Sequence, residues 1–278
     1  MKDILEEIVA HKRIEVAEQK EQMPARQLYA IVEKMMAEGV EGHSMSKALS
    51  EDAHGIIAEF KRKSPSKGWI KEEGKPEVIP PSYQQNGAAA LSILTDEQYF
   101  GGSMDFIRTA RPLVNIPILR KDFIIDEYQL FQARQVGADA VLLIAADLKK
   151  QEVKSLAALA HDLKLEVLLE MHSLEELDYA ELDVDMLGIN NRNLGTFHTD
   201  VQNSFNMISR LPEDKVKVSE SGIGNPDTIK LLRQAGYRGF LMGEHFMKQP
   251  NPGQALGDFI RTLSNSPSRG RTRLVVSG

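Results

Sequence analysis

Residues 55–68 read Gly55-Ile-Ile-Ala-Glu-Phe-Lys-Arg-Lys-Ser-Pro-Ser-Lys-Gly68, and the rest of the chain is organised around this stretch. Its first half is apolar and β-prone, which is typical of a strand buried on both faces. Its second half carries three lysines, one arginine, two serines and a proline, so the strand must end there and a solvated loop begin. Glu59 and Lys61 flank that transition two residues apart, and strand geometry points both side chains to the same face. An acid–base site that holds an anionic substrate would explain this pattern, and so would a structural ion pair.

Composition and charge limit the class of protein. The 278 residues are 42% hydrophobic and 27% charged, which is ordinary for a globular protein. The formal net charge is −6, so the surface should repel polyanions and we expect no nucleic-acid partner. No apolar run approaches the ~20 residues of a membrane-spanning helix, and the charged start is unlike a secretory signal. We therefore expect no membrane partner. The absence of cysteine excludes disulfides and thiolate chemistry and fits a cytoplasmic protein.

From Gly55 onward, short apolar runs alternate with amphipathic helical segments. The predicted strands are Gly55–Phe60, Ala88–Leu94, Ile116–Leu119, Ala138–Ile144, Glu166–Leu169, Met186–Ile189, Lys215–Ser219 and Gly239–Met242. The predicted helices that follow them lie near Pro76–Asn86, Ser103–Arg111, Asp126–Val136, Lys149–Leu163, Ser173–Ala180, Ser204–Arg210, Asn225–Ala235 and Pro252–Leu263. Two further helices are predicted over residues 2–21 and 24–38, and a loop over Gly39–Ser46.

This order of elements predicts the fold. Strict alternation of strand and helix requires parallel strands joined by right-handed crossovers. Eight such units fit a closed (β/α)8 TIM barrel better than an open doubly wound sheet. We therefore predict an α/β protein with one barrel domain over residues 1–264, including an N-terminal helical extension at about residues 2–38. Residues 265–278 lack helical periodicity and are predicted to form a flexible tail.

Charged and polar residues stand where the predicted strands end. In barrels of this type the chemistry gathers at the C-terminal ends of the strands. Opposite charges in a partly dry cleft shift each other's pKa values, which provides a proton donor and an acceptor near neutral pH. A carboxylate alone could simply anchor an arginine across the barrel, but the whole set is predicted to converge on one mouth. The candidate catalytic residues are Glu59, Lys61, Lys121, Glu170, Asn190, Arg192 and Glu220.

Glycines after the last two strands form a second pattern. Ser221-Gly222-Ile223-Gly224 follows the seventh strand and Gly243-Glu244 follows the eighth. Glycines there let backbone N–H groups approach an anion, and these two loops often bind phosphate in such barrels, although the glycines could merely make tight turns. Ser64 in the first loop could add a hydroxyl to the same anion. The sequence contains no dinucleotide fingerprint, P-loop or nucleophile elbow, and its histidines lack a metal-ligand spacing.

Seven blocks of the sequence resemble indole-3-glycerol phosphate synthase. They are Ile57-Ala-Glu-Phe-Lys-Arg-Lys-Ser-Pro-Ser66, Leu91-Ser-Ile-Leu-Thr-Asp96, Tyr99-Phe-Gly-Gly102, Leu119-Arg-Lys-Asp-Phe-Ile124, Leu168-Leu-Glu170, Gly188-Ile-Asn-Asn-Arg-Asn-Leu194 and Val218-Ser-Glu-Ser-Gly-Ile223. The likeness runs from the N-terminal helices to about Leu263 and implies a (β/α)8 barrel with a helical extension. It also implies a lyase of tryptophan biosynthesis that needs no cofactor or metal. Such an enzyme converts 1-(2-carboxyphenylamino)-1-deoxyribulose 5-phosphate to indole-3-glycerol phosphate by ring closure, decarboxylation and dehydration.

The resemblance further implies roles for the charged residues. Lys121 would be the general acid at the substrate carbonyl, and Glu170 the general base for the dehydration. Glu59 would place Lys61, which would meet the substrate carboxylate and serve as the second acid. The remaining polar residues would orient the substrate and complete the network; they are Asn190, Arg192 and Glu220.

The resemblance also implies two binding regions. The phosphate would lie among Ser64, Ser221, Gly222, Gly243 and Glu244. The walls for the aromatic ring would be Phe100, Phe123 and Leu142, which could equally be plain barrel core. Glu244-His245-Phe246 replaces the smaller residues that are often found after the last strand of the family, so the detail of the phosphate rim differs here.

Two other functions fit a barrel that binds phosphate. A phosphosugar isomerase typically needs an Asp/Cys or Asp/Asp pair, and this chain has no cysteine. A non-catalytic sensor of a phosphorylated ligand would be expected to lack Lys61, Lys121 or Glu170, all of which are present. The division of acid and base roles between the two lysines, and between Glu59 and Glu170, stays open. We expect a small phosphorylated substrate and a monomer or weak homo-oligomer.

Overall fold

The computed structural model describes residues 4–39, 41–193 and 195–265, and eight parallel strands within them close into a barrel. The strands are β1 (Ile56–Phe60), β2 (Ala90–Leu94), β3 (Ile118–Lys121), β4 (Ala140–Ile144), β5 (Glu166–Met171), β6 (Met186–Asn190), β7 (Val216–Glu220) and β8 (Gly239–Met242). They pair in chain order, and β1 closes the barrel against β8 with Ile57 opposite Leu241. The prediction of an α/β TIM barrel is confirmed, and every predicted strand overlaps an observed one.

Helices surround the barrel in the described part of the chain. They are α1 (Ile4–Gln22), α2 (Ala25–Ala37), α3 (Met45–Glu51), α4 (Ile79–Gln85), α5 (Glu97–Phe100), α6 (Met104–Ala110), α7 (Glu127–Val136), α8 (Lys150–Asp162), α9 (Gln202–Met207), α10 (Pro226–Ala235), α11 (Glu244–Met247) and α12 (Pro252–Asn265). The segment predicted as a helix over Ser173–Ala180 is a 3₁₀-helix, Leu174–Glu181. Apart from Asn265, which ends α12, the predicted tail lies outside the described residues. No described helix is long and apolar enough to cross a membrane.

Alternation along the strands divides the apolar core into two parts. In β1, Ile57 belongs to a cluster that fills the inside of the barrel. Ile56, Ala58 and Phe60 belong to the larger cluster between the barrel and its helices. Because side chains alternate along a strand, Glu59 lies on the inner side with Ile57. The barrel interior is therefore apolar towards the N-terminal ends of the strands. It is charged at their C-terminal ends, which form the mouth of the barrel.

Helix α3 closes the other end of the barrel and was not predicted. Met45 and Leu49 stand one turn apart and are fully buried in the inner cluster. Ser44 caps the helix by accepting a hydrogen bond from the Lys47 N–H, and its hydroxyl donates to Glu166 at the start of β5. The sequence pattern of a seven-residue helix with two buried apolar residues is too short to predict a helix. Packing of these residues against the barrel therefore stabilises α3.

The N-terminal helix α1 is anchored to the C-terminal end of the barrel by a buried lysine. Lys12 Nζ lies 2.9 Å from carboxylate oxygens of Asp96 and Asp122, which follow β2 and β3. It lies at the same distance from Glu15 on its own helix. The buried apolar residues of the helix are Leu5, Ile8, Val9 and Val16. The N-terminal helix therefore packs at the end of the barrel where the strands finish.

The first loop after β1 contains an antiparallel hairpin that the sequence did not predict. Its two short strands are Lys63–Ser64 and Gly68–Trp69. The ring of Trp69 lies where a Cβ on Gly101 would stand, so only glycine permits this contact. Lys63 Nζ donates to the carbonyl oxygen of Gln98 at 3.0 Å. These contacts fix the loop against α5, beside the mouth of the barrel.

Candidate active site

Glu59 in β1 and Lys61, which directly follows this strand, lie at the centre of the charged mouth. Glu59 Oε1 is 2.7 Å from Lys61 Nζ, and Glu59 Oε2 is 3.6 Å from Lys121 Nζ. Lys121 Nζ is also 3.9 Å from Glu220 Oε2. The carboxylate of Glu59 is buried, whereas both lysine side chains are 16% exposed and reach the cavity above. Strands β1, β3 and β7 thus bring their charges to one place.

Two glycines make room for the buried carboxylates. A Cβ on Gly243 would overlap Glu59 Oε1, and a Cβ on Gly188 would overlap Glu220 Oε1. Gly188 lies within β6, and Gly243 follows β8. The mouth can therefore hold several glutamates only because neighbouring strands lack side chains at these points.

Glu170 and Glu220 form a buried pair of carboxyl groups with different protonation. Burial favours the neutral form of Glu170, but its contact with His172 and the charge of Lys121 outweigh burial and lower its pKa to about 2. Burial and the negative charge of Glu170 raise the pKa of Glu220 well above its usual value. Within the pair the proton is therefore held by Glu220 in preference to Glu170, which is the ionised member.

The charges of the other two central residues follow from the same cluster. Burial opposes the ionised form of Glu59, yet Lys61 and Lys121 together lower its pKa. Burial likewise opposes the charged form of Lys121, but the surrounding glutamates raise its pKa above the usual value. The surrounding glutamates therefore keep Lys121 in its charged ammonium form.

Asn190 and Arg192 lie at the end of β6 and connect the cluster to the first loop. The Arg192 backbone N–H donates to Asn190 Oδ1 at 3.0 Å. The Arg192 guanidinium donates to Ser66 Oγ at 3.0 Å, and its other nitrogen is 3.9 Å from Glu244 Oε2. Arg192 therefore links the hairpin loop after β1 with the loop after β8.

A cavity of about 630 Å³ opens above the charged cluster. Glu59, Lys61, Lys121 and Glu220 form part of its lining. Four of the residues predicted to bind phosphate also line it: Ser221, Gly222, Gly243 and Glu244. Ser221 and Gly222 have φ of 69° and 74°, so the chain turns sharply here through a conformation that favours glycine. The fifth predicted residue, Ser64, does not line this cavity.

A smaller cavity of about 120 Å³ adjoins the first and is mainly apolar. All three residues predicted as ring walls, Phe100, Phe123 and Leu142, line it, and the rings of Phe100 and Phe123 are 5.9 Å apart. Ser64 lies here, with its hydroxyl buried. Glu170 and Asn190 also contribute to this lining, while Lys61 and Lys121 line both cavities. The lysines therefore stand where the polar and apolar regions meet.

The structure adds residues that the sequence reasoning missed. Ile4, Leu5 and Ile8 of α1 line the apolar cavity, and Ser66 and Phe197 line both cavities. His245 and Lys248 line the polar cavity, and His172 contacts Glu170. In the sequence, only their positions indicated that these residues could belong to the site. Ser66 lies in the loop that follows the first strand, and His172 follows Glu170 by two residues. The apolar stripe of α1 predicted a packed helix without indicating which cavity it would line.

The charged groups at the centre of the mouth are the side chains of lysines and glutamates. Among the described residues, no group of three or more His, Cys, Asp or Glu side chains has a geometry that could hold a metal ion. Fold and site together define a (β/α)8-barrel enzyme that performs acid–base chemistry on a small anionic molecule with an apolar part.

Comparison with known sequences identifies the particular family. The family profile described as indole-3-glycerol phosphate synthase matches residues 5–259. An indole-3-glycerol phosphate synthase of Bacteroides thetaiotaomicron is 60% identical over 263 residues, covering 95% of this chain and 100% of that protein. One of Chromobacterium violaceum is 42% identical over 260 residues, covering 92% and 97%. The chain belongs to the indole-3-glycerol phosphate synthase family, and the predicted activity, a decarboxylating lyase of tryptophan biosynthesis, is confirmed.

Solved structures with little sequence identity share the fold. The tryptophan synthase α subunit of Legionella pneumophila superposes with a TM-score of 0.59 at 14% identity, covering 80% of this chain and 98% of that one. The 3-hexulose-6-phosphate synthase of Salmonella typhimurium gives 0.57 at 12% identity, covering 75% and 99%. At these identities the likeness concerns the barrel alone.

Proposed function

We propose that the substrate, 1-(2-carboxyphenylamino)-1-deoxyribulose 5-phosphate, spans the two cavities. Its carboxyphenyl ring occupies the apolar cavity beside Phe100, Phe123 and Leu142. Its phosphate lies in the larger cavity, against the backbone of Ser221, Gly222, Gly243 and Glu244. The observation that supports this orientation is that Lys61 and Lys121 line both cavities, so the carbonyl between ring and phosphate would lie beside them.

Ring closure needs an acid at the substrate carbonyl. In our proposal Lys121 donates a proton to the carbonyl oxygen while the ring carbon that bears the carboxylate forms a bond to the carbonyl carbon. Loss of carbon dioxide from that ring carbon then restores the aromatic ring. The protonated state of Lys121, which Glu59, Glu170 and Glu220 stabilise, suits this step.

Dehydration needs an acid and a base on the same intermediate. Lys61 protonates the hydroxyl group left by ring closure, which departs as water. Glu170 accepts the proton from the neighbouring carbon that carries the nitrogen, and the indole ring results. The low pKa of Glu170 keeps it ionised for this role, and Glu59 holds Lys61 by the contact of 2.7 Å. Asn190 and Arg192 orient the substrate, and Glu220 completes the network as a neutral hydrogen-bonding group.

Ser64 has a different place in this proposal from the one the sequence suggested. Its side chain faces the apolar cavity, whereas Ser66, two residues later in the hairpin, lines both cavities and receives a hydrogen bond from Arg192. We therefore assign the hydroxyl nearest the phosphate region to Ser66. Ser64 would instead meet the carboxylate of the ring, beside Lys61.

The test is an assay that follows indole fluorescence after the substrate is mixed with purified protein. We expect Lys121→Ala to lower kcat by roughly 10²–10⁴-fold, the range for loss of one positioned proton donor. The matched control is Lys154→Ala, because Lys154 is exposed on α8 outside the mouth. Turnover by Lys121→Ala equal to that of the unmutated protein would contradict the assignment. Substrate binding without any turnover by the unmutated protein would favour the sensor function.

We also propose a monomer or weak homo-oligomer that acts in the cytoplasm. The support is the acidic net charge of −6 and the lack of cysteine. Sedimentation velocity over a range of concentrations tests the oligomeric state, and a concentration-independent dimer peak would contradict it. Fractionation of cells that express the tagged chain tests the compartment.

A further inference from the structure

A histidine outside both cavities contacts the proposed general base. His172 follows β5, and its Nε2 lies 3.0 Å from Glu170 Oε1. Its side chain is 9% exposed, so the contact is screened from water. The His172 backbone N–H donates to Glu176 Oε2 at 2.6 Å, and its carbonyl accepts from Asn203 Nδ2 at 3.0 Å. Hydrogen bonds from a 3₁₀-helix and from α9 therefore fix the backbone of His172 beside Glu170.

The charged groups around His172 are carboxylates on three elements. Glu170 approaches from its own strand, Glu176 from the 3₁₀-helix at 3.9 Å from Nδ1, and Asp147 from the segment after β4. Burial disfavours the imidazolium form, but these carboxylates outweigh burial and raise the pKa of His172. The carboxylates therefore favour the positively charged form of the ring where it touches Glu170.

Glu170 also interacts with the carboxyl group of Glu220. Its side chain and that of Glu220 are within hydrogen-bonding reach of each other, which requires a proton on one of them. Glu170 Oε2 and Glu220 Oε1 are both buried, so water does not separate the two carboxyl groups from the protein interior. One proton and two carboxyl groups allow two arrangements, and only an ionised Glu170 can act as a base.

We propose that His172 is a positioning residue whose charge keeps the proton of the Glu170–Glu220 pair on Glu220. The inference rests on the proposed function, which assigns the base to Glu170. The charge of Lys121 favours the ionised form of both carboxyl groups, and its ammonium lies 3.9 Å from Glu220 Oε2. His172 tips the pair towards an ionised Glu170 because, among the described residues, it is the cationic group within 4 Å of Glu170.

The pH dependence of kcat tests this role. His172→Gln keeps a side chain that can donate to Glu170 but removes the positive charge. The pKa of Glu170 then rises, so the acidic limb of kcat moves to higher pH by roughly 1–3 units, with KM little changed. At pH values above the shifted limb, kcat should return to within about threefold of the unmutated enzyme, because the base is again ionised. A merely structural histidine would instead lower kcat equally at every pH, and that result would overturn the proposal.

A control separates this effect from the loss of any histidine–carboxylate contact. His161 Nε2 lies 2.9 Å from Asp185 Oδ2, outside the mouth. His161→Gln should leave the pH profile unchanged. If His172→Gln does not fold, His172→Asn serves the same measurement and should give a limb at least as far shifted, because its shorter side chain donates to Glu170 less well.

A measurement without substrate distinguishes failure of this inference from failure of the proposed function. The infrared difference spectrum between each protein and its Glu170→Gln counterpart reports the protonation of Glu170. We expect a carboxylate band at mildly acidic pH with His172 present and a protonated carboxyl band in the His172→Gln background. Identical carboxylate bands in both backgrounds would refute the role of His172 even if turnover is normal. If the expected bands appear but the unmutated protein does not convert the substrate, only the proposed function is refuted and the role of His172 stands.

Discussion

Removal of the Lys12 ammonium group is predicted to lower the free energy of unfolding. Lys12→Met keeps the apolar stem of the side chain but removes the ammonium that meets Asp96 and Asp122. The side chains of these two aspartates are 0% and 1% exposed, so water cannot replace the lost partner. Removing one member of a buried ion pair costs about 3–5 kcal/mol. Arg120 remains 3.0 Å from Asp122, and we therefore expect a loss of about 3 kcal/mol in the free energy of unfolding.

Urea unfolding followed by circular dichroism measures this loss. The midpoint should fall while the m-value stays the same, since the surface exposed on unfolding hardly changes. Lys154→Met, on the exposed face of α8, is the control. A loss below about 1 kcal/mol, the worth of an exposed ion pair, would refute the reasoning because it would show that the buried aspartates need no cation.

Acid denaturation gives a second test of the same cluster. Burial would raise the pKa of Asp122, but Lys12 and Arg120 outweigh it and lower the pKa from 3.8 to about 2. A carboxyl group with a lowered folded-state pKa contributes stability above its unfolded pKa and loses it as the pH falls through the folded pKa. The unmutated protein should therefore lose this contribution between pH 3.8 and about 2. In Lys12→Met the Asp122 pKa rises, so less stability is lost over this window.

Two other predictions concern the mouth of the barrel. Gly243→Ala should lower kcat by at least about tenfold with little change in Tm, because the new methyl group overlaps Glu59 Oε1 and displaces a flexible carboxylate rather than backbone. Gly195→Ala, whose Cβ would have ordinary contacts, is the control, and normal activity of Gly243→Ala would show that the position of Glu59 is unimportant. Glu220→Gln should retain far more activity than Glu170→Gln, since an amide replaces a neutral carboxyl group in one case and the ionised base in the other; equal losses in kcat would contradict a neutral Glu220 beside an ionised Glu170.

Much of the fold could be predicted because its signals are local. Strand–helix alternation requires parallel strands, and the eight units were each visible as an apolar run followed by a helical segment. The two-residue spacing of Glu59 and Lys61 placed both side chains on one face, and the structure shows them 2.7 Å apart. The short helix α3 escaped prediction because its two buried residues, Met45 and Leu49, have meaning only against the barrel interior.

The sequence by itself determined which residue types stand at the strand ends, because each strand has a period of two and a definite end. Only the tertiary structure decided how those residues pair, because barrel closure sets the distances between strands. The pKa values of Glu170 and Glu220 shift in opposite directions because of burial and of neighbouring groups such as His172. The spacing of residues along the chain predicts neither the burial nor these neighbours. The docking of α1 through Lys12, and the position of Ser64 in the lining of the apolar cavity, likewise depend on contacts between segments distant in the chain. Electrostatic energy falls with distance in space and not along the sequence, so the chemistry of this mouth could be read only from the folded barrel.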